Sequence, residues 1–250
     1  MMKTYEQVVT QLTALKLPGI IRKIDEAIND AESRQQSYIA FLNALLAAEV
    51  NYRVDKRYQR NLAGAHFPVM KGIENFEFGK AKGITKMDVS QLLEFGWLDN
   101  HVNILIFGPP GLGKTHLAIS LGMKAVEKGY IVSFERMTTL TKLLKTAEIQ
   151  RMSAFRLNRI LKSDLIIIDE IGYSPIEKKE ANLFFNLISE LYEKKSVIIT
   201  SNKSFNAWAE MLGDEIMTTA LLDRLLHHSK IFNLDGLSYR INNINKKEVK

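Results

Sequence analysis

Apolar positions recur every three or four residues from Thr4 to about Ala65, a spacing that predicts a run of helices. Val8, Leu12 and Leu15 mark the first. Pro18, whose fixed φ suits a first helical turn, opens a second with the stripe Ile20, Ile21, Ile24 and Ile28. A third starts near Ser37, carries Phe41, Leu42, Leu45 and Leu46, and continues through Val50 toward Leu62. Gly64 and Pro68 lie close enough together to stop it. Residues 64 to about 84 then read as irregular linker with Phe76 and Phe78 as apolar pegs. Asp88 reads as the cap of a short helix through Leu92 and Leu93 that ends at Gly96, and Trp97 reads as packing.

Beyond residue 100 the pattern changes to short apolar runs separated by amphipathic ones. Asn103 to Phe107, Ile131 to Phe134, Leu165 to Ile168, Val197 to Thr200 and Ile231 to Phe232 read as strands. Strands alternating with helices require parallel pairing, so the expected class is α/β, a parallel sheet with flanking helices. Two helical patterns, about 138 to 149 and 154 to 161, fill a crossover that needs only one, and Leu183, Phe184, Leu187, Ile188 and Leu191 form the helix of the next. The expected organisation is a small all-helical N-terminal module over 1–66, a linker with a lead-in helix over 67–100, and the α/β domain over 101–250.

Composition narrows the chemistry. The chain has no cysteine, which excludes a disulfide framework, a cysteine metal site and a thiol nucleophile. Met1-Met2-Lys3 leads into polar residues without the apolar core of a secretory signal, and no run approaches membrane-spanning length. The expected setting is therefore the cytoplasm, with no membrane partner. The net charge of +6 suits an anionic partner. On the third helix Arg53, Lys56, Arg57 and Arg60 recur at three- and four-residue steps. The doubled crossover carries Lys142, Lys145, Arg151, Arg156 and Arg159. Each set is either a solvated face or a stripe for DNA phosphates.

The stretch that carries the strongest signal is Gly108-Pro109-Pro110-Gly111-Leu112-Gly113-Lys114-Thr115, between the first strand and the amphipathic run from His116 to Val126. Strand, glycine loop and helix in that order make a phosphate-binding loop. Its glycines let backbone N–H groups face phosphate oxygens, Lys114 reaches the β- and γ-phosphates, and the Thr115 hydroxyl serves as a magnesium ligand. Asp169 and Glu170 end the strand begun by Leu165, which places them at the sheet edge where ligands bind. There Asp169 suits magnesium, and Glu170 suits deprotonating a water. Asn202 follows the next strand, either to position that water or to cap the helix after it. Arg224 lies opposite the leucine face of Ala220 to Leu226, as a local ion-pair partner or as a cation for phosphate held by a neighbouring subunit. Arg240 is a second cation near the end. His227 and His228 lack spaced carboxylates or histidines and read as surface or interface residues.

With these residues in this order the chain resembles the AAA+ ATPases, and among them the IstB transposition helpers, relatives of the DnaC helicase loader and the DnaA initiator. The resemblance runs through Lys56 to Arg60, Phe67-Pro68, Glu74-Asn75-Phe76, Gly108 to Ala118, Leu165 to Pro175, Thr200-Ser201-Asn202, Leu221 to His228 and Ser238-Tyr239-Arg240. It implies that Asp169 and Glu170 are the Walker B pair, Asn202 sensor 1, Arg224 an arginine finger acting in trans and Arg240 a sensor 2 candidate. The nucleotide would lie on Gly108 to His116. The implied ligands are ATP and Mg2+; the implied partners are double-stranded DNA, further copies of the chain, and a transposase, or a replicative helicase if the chain is a loader. About 16 residues follow the final strand, so no C-terminal lid domain is expected.

Overall fold

The structure, a computed structural model, describes residues 2–79, 81–173 and 176–236. The chain divides into two compact units, Met1–Arg60 and Asn61–Lys250.

The first unit is helical, as its periodicity requires. It comprises α1 (Met2–Ala14), α2 (Pro18–Ser33) and most of α3 (Tyr38–Ala65), which runs on into the second unit. Ile20, Ile24 and Leu45 form its core, with Leu12, Leu17, Ile28 and Phe41 packed against them. No side chain caps α2 from Leu17. Instead the buried carboxylate of Glu49 on α3 accepts hydrogen bonds from the N–H groups of Gly19 and Ile20, at 2.7 and 3.2 Å. A tertiary contact thus satisfies the orphan donors of a helix start. Gly19 is required there, since a Cβ would stand 2.7 Å from the Glu49 Cα.

The second unit holds β1 (Ala81–Lys82), α4 (Lys86–Leu92), α5 (Gly96–Asp99), β2 (Asn103–Phe107), α6 (Lys114–Lys128), β3 (Val132–Arg136), α7 (Met137–Thr146) and α8 (Arg151–Lys162). It continues with β4 (Leu165–Ile171), α9 (Lys178–Leu191), β5 (Ser196–Ser201), α10 (Phe205–Leu212), α11 (Glu215–Leu226), β6 (Ser229–Asn233) and β7 (Asp235–Gly236). Five strands form one parallel sheet in the order β3-β4-β5-β2-β6, with Ile168 opposite Ile199 and Leu105 opposite both Ile199 and Ile231. Strands β2 and β5 are buried at every position, which is why they read as continuous apolar runs rather than alternating ones. Ile166 and Ile168 face a core shared with Phe184, Leu187 and Ile188 of α9, Trp208 of α10 and Leu221 and Leu225 of α11. Ile167 points the other way, toward α6, where a Cβ on Gly122 would stand 2.6 Å from it.

Three expectations are corrected. The stretch 64–84 is not wholly irregular: α3 holds to Ala65, a 3-10 turn spans Ile73–Asn75, and β1 pairs antiparallel with β7. Two-residue strands leave no period to read. The cap of α4 is Thr85, whose Oγ1 accepts from the Asp88 N–H at 3.1 Å. Asp88 returns the bond, its Oδ2 accepting from the Thr85 N–H at 2.8 Å, so it is the third helical residue of a capping box. The turn after α4 is made by Phe95, at φ +62°, rather than by Gly96. Trp97 packs as expected: it is buried and its Nε1 donates to the Leu92 carbonyl at 2.8 Å.

Candidate functional site

The glycine loop leaves β2 and turns sharply, with Gly108, Gly111 and Gly113 at φ +139°, +85° and +86°. Only glycine takes these angles without strain. Leu112 is buried and anchors the loop, and no side chain caps the first N–H groups of α6. An anion at that helix start meets backbone N–H groups and the positive end of a helix dipole. The Lys114 ammonium donates to the carbonyls of Gly108 and Pro109, at 2.6 and 2.8 Å.

Beside the loop, β4 brings in its two carboxylates differently. Asp169 is buried, and its Oδ1 accepts hydrogen bonds from Thr115 Oγ1 at 2.8 Å and Thr200 Oγ1 at 2.5 Å. Thr200 Oγ1 in turn accepts from the backbone N–H of Glu170 at 3.0 Å. One hydroxyl on β5 therefore locks both residues of the pair. Between Ile168 and Ile171 the β4–β5 register slips, and Glu170 adopts φ +63°, a left-handed angle that a carboxylate residue holds only when its surroundings enforce it. The kink turns its side chain outward, half exposed, with Arg136 Nε at the end of β3 lying 3.8 Å from Oε2.

A cavity of about 290 Å³ opens beside these groups. Of the residues singled out from the sequence, Pro110, Gly111, Gly113, Lys114, Thr115, His116, Glu170 and Asn202 line it directly. Asp169 lies beneath, reached through Thr115. Asn202 sits just past β5 and does not cap α10, whose cap position is Ser204. Arg224 is not part of the lining: its Nη1 donates to the Ala220 carbonyl at 2.9 Å, and its guanidinium carbon stands 4.8 Å from the ring centre of Phe185 on α9. Arg240 lies outside the described residues.

The cavity has a wall that the sequence reading placed in the linker. Lys71, Asn75, Phe76 and Glu77 line it too, as does Tyr173. The segment is strapped to α6. Ser120 Oγ donates to the Lys71 carbonyl at 2.8 Å, and His116 Nε2 lies 2.9 Å from the Gly72 carbonyl oxygen. The Phe76 ring meets the His116 ring edge-on at 5.7 Å. Phe76 was visible as an apolar peg, but no local pattern says where a peg inserts.

The basic candidates separate into two kinds. Lys56, Arg57, Arg60, Lys142 and Arg151 are exposed. Arg53 pairs with Glu49 at 2.7 Å and reaches the Lys16 carbonyl at 3.1 Å, and Lys145 bonds Glu177 and Glu180 at 3.0 and 3.2 Å. Arg156 and Arg159 are partly buried and held by groups of the same chain. Arg156 Nε bonds the Glu135 carboxylate at 2.5 Å, and Arg159 Nε donates to the Gly64 carbonyl at 2.7 Å. Burial pushes the Glu135 carboxyl above its ordinary range, against the pull of Arg156.

The family of IstB-like ATP binding proteins matches residues 10–247. The chain is 39% identical over 230 residues to an ATP-binding protein of insertion sequence IS21 from Pseudomonas aeruginosa, covering 92% of this chain and 87% of that one. It is 38% identical over 227 residues to the IS5376 counterpart from Geobacillus stearothermophilus, covering 91% and 90%. Among solved structures it is similar to DnaI, with TM-score 0.57, 14% identity and coverage of 66% of this chain and 91% of that one. It is also similar to AMPPCP-bound DnaA from Aquifex aeolicus, with TM-score 0.51, 23% identity and coverage of 72% and 55%. The fold is that of DnaI and DnaA.

Proposed function

The chain belongs to the family of IstB-like ATP binding proteins, and on that footing we propose that it is a Mg2+-dependent ATPase that oligomerises on duplex DNA and helps a transposase capture its target. The observation that carries the reading is the convergence of Lys114, Thr115, Asp169, Glu170 and Asn202 on one cavity at the C-terminal edge of three adjacent strands. The donor set suits the metal: Thr115 Oγ1 and Asp169 Oδ1, both hard oxygens, are 2.8 Å apart at the mouth of the loop. When bound there, Mg2+ neutralises charge on the β- and γ-phosphate oxygens.

The chain's own groups do the rest. Loop N–H groups and Lys114 hold the phosphates. The Glu170 carboxylate takes the proton of the attacking water as its oxygen bonds the γ-phosphorus and the bond to the β–γ bridging oxygen breaks. Asn202, held at the sheet edge, orients that water. Arg224 stands apart from its own chain's cavity, which suits a role toward the nucleotide of a neighbouring subunit. Such a contact is worth about 10³- to 10⁵-fold in rate. The exposed cations Lys56, Arg57, Arg60, Lys142 and Arg151 supply phosphate contacts to DNA. Relatives from insertion sequences favour a transposase over a replicative helicase as the partner.

The test is sedimentation of the Glu170→Gln protein with duplex DNA, with and without ATP and Mg2+, over a range of salt. A large complex that needs duplex and ATP together is expected, and a monomer indifferent to DNA overturns the proposal. Mixing Arg224→Ala with Glu170→Gln subunits tests the shared site separately: mixtures should regain ATPase activity that neither variant has. No regain at any ratio refutes the trans role.

A further inference from the structure

At the end of α9 the chain turns through Tyr192 and Glu193, the latter at φ +57°, and at the end of α11 it turns through His227 and His228. The two turns, over thirty residues apart in sequence, meet. His227 Nδ1 lies 3.6 Å and His228 Nε2 3.8 Å from Glu193 Oε1, and one ligand atom from each residue falls within 4.8 Å of the others. The imidazole rings are 4.1 Å apart between centres. Both histidines are exposed, as expected of surface residues, and Glu193 brings to them from another element the carboxylate that their own stretch of sequence lacks.

We propose that Glu193, His227 and His228 form a surface site for a borderline divalent transition ion, with Zn2+ as its type. Two imidazoles and one carboxylate match that class, whereas Mg2+ and Ca2+ take oxygen ligands. Bonds of about 2.1 Å in a tetrahedral site put ligand atoms about 3.4 Å apart. Two of the measured separations exceed that by a few tenths of an ångström, a shift that exposed side chains make by rotation. All three residues are exposed, which leaves the fourth position to water. The C-terminal ends of two helices converge there, and their partial negative charge favours a cation. Tyr192 Oη, 2.7 Å from His227 Nδ1, occupies that nitrogen and swings aside when the ion binds. An ion there ties α9 to α11, the pair that carries Phe185 and Arg224. The site is independent of the nucleotide cavity and does not rest on the ATPase reading.

The experiment is calorimetric titration of Zn2+ into the metal-free full-length protein, with excess Mg2+ present to fill oxygen sites. Wild type, Glu193→Gln, His228→Ala and, as control, His101→Ala are compared. One ion per chain is expected, with affinity falling at least about 10-fold in Glu193→Gln and His228→Ala, since even an outer-shell partner is worth that much, and unchanged in His101→Ala. Tyr192→Phe, which removes the competing hydroxyl, should bind at least as tightly as wild type. Unfolding midpoints without metal check that each variant folds. Absence of binding, or binding that Glu193→Gln and His228→Ala leave intact, overturns the proposal.

Discussion

Replacing Thr200 by valine keeps the shape of a buried β-branched residue and deletes one oxygen. That oxygen donates to Asp169 Oδ1 at 2.5 Å and accepts from the Glu170 N–H at 3.0 Å, in a strand position that is 1% exposed beside a carboxylate that is also 1% exposed. Losing a hydrogen bond to a charged group costs about 1.5 to 3 kcal/mol, and leaving a partly buried N–H without a partner costs about 1 to 3 more. These terms overlap, so the expected loss is about 3 kcal/mol. The chain has two tryptophans, Trp97 and Trp208, and both are buried in the second unit, so urea unfolding followed by tryptophan fluorescence reports on that unit. Catalysis should suffer too, because the same hydroxyl holds the left-handed backbone of Glu170. A displacement near 1 Å there costs about 10²-fold in rate. Thr200→Ser, which restores the oxygen, should recover most of both. If Thr200→Val unfolds within about 1 kcal/mol of wild type and retains ATPase activity within a factor of two, the hydroxyl does not organise the carboxylate pair and the reasoning fails.

Arg156→Ala should destabilise the second unit by about 3 to 5 kcal/mol, since it leaves the buried Glu135 carboxylate without its partner. Burial already holds that carboxyl above its ordinary value of 4.5, and losing Arg156 raises it further. A group raised in the folded state destabilises it as pH climbs through the folded value, so the deficit should be largest at neutral pH and shrink toward 4.5, as urea midpoints across that range will show. Arg151→Ala is the contrast: an exposed cation whose loss should leave the urea midpoint unchanged but lower the salt dependence of duplex binding by about one counterion. Equal salt slopes would remove it from the DNA surface. Gly108→Ala forces a side chain to φ +139° with its Cβ 2.2 Å from the Leu234 carbonyl oxygen, and should cost at least about 2 kcal/mol together with affinity for a fluorescent ATP analogue. Wild-type values for both would contradict the loop geometry.

The sequence by itself determined what neighbours in the chain can decide. Period two or continuous apolar runs against period 3.6 set the strands and helices of the α/β domain. The glycines of residues 108 to 113 followed by Lys114-Thr115 set a loop that only one kind of ligand suits, and Asp169 and Glu170 announced themselves by following a buried apolar run. Tertiary structure decided the pairings. Thr200 became the brace of Asp169 and Glu170 only because β4 and β5 lie side by side with Ile168 opposite Ile199. Phe76 became a cavity wall because the segment before it is strapped to α6 through Ser120 and His116. Arg156 and Arg159, indistinguishable from Arg151 in a charge pattern, were taken inward by Glu135 and the Gly64 carbonyl. Glu193 joined His227 and His228 because two helices of the sheet's cover end together. Local patterns fix which element a residue occupies and which face it shows. The partner on that face comes from another part of the chain, and strand order, which no single stretch encodes, chooses it.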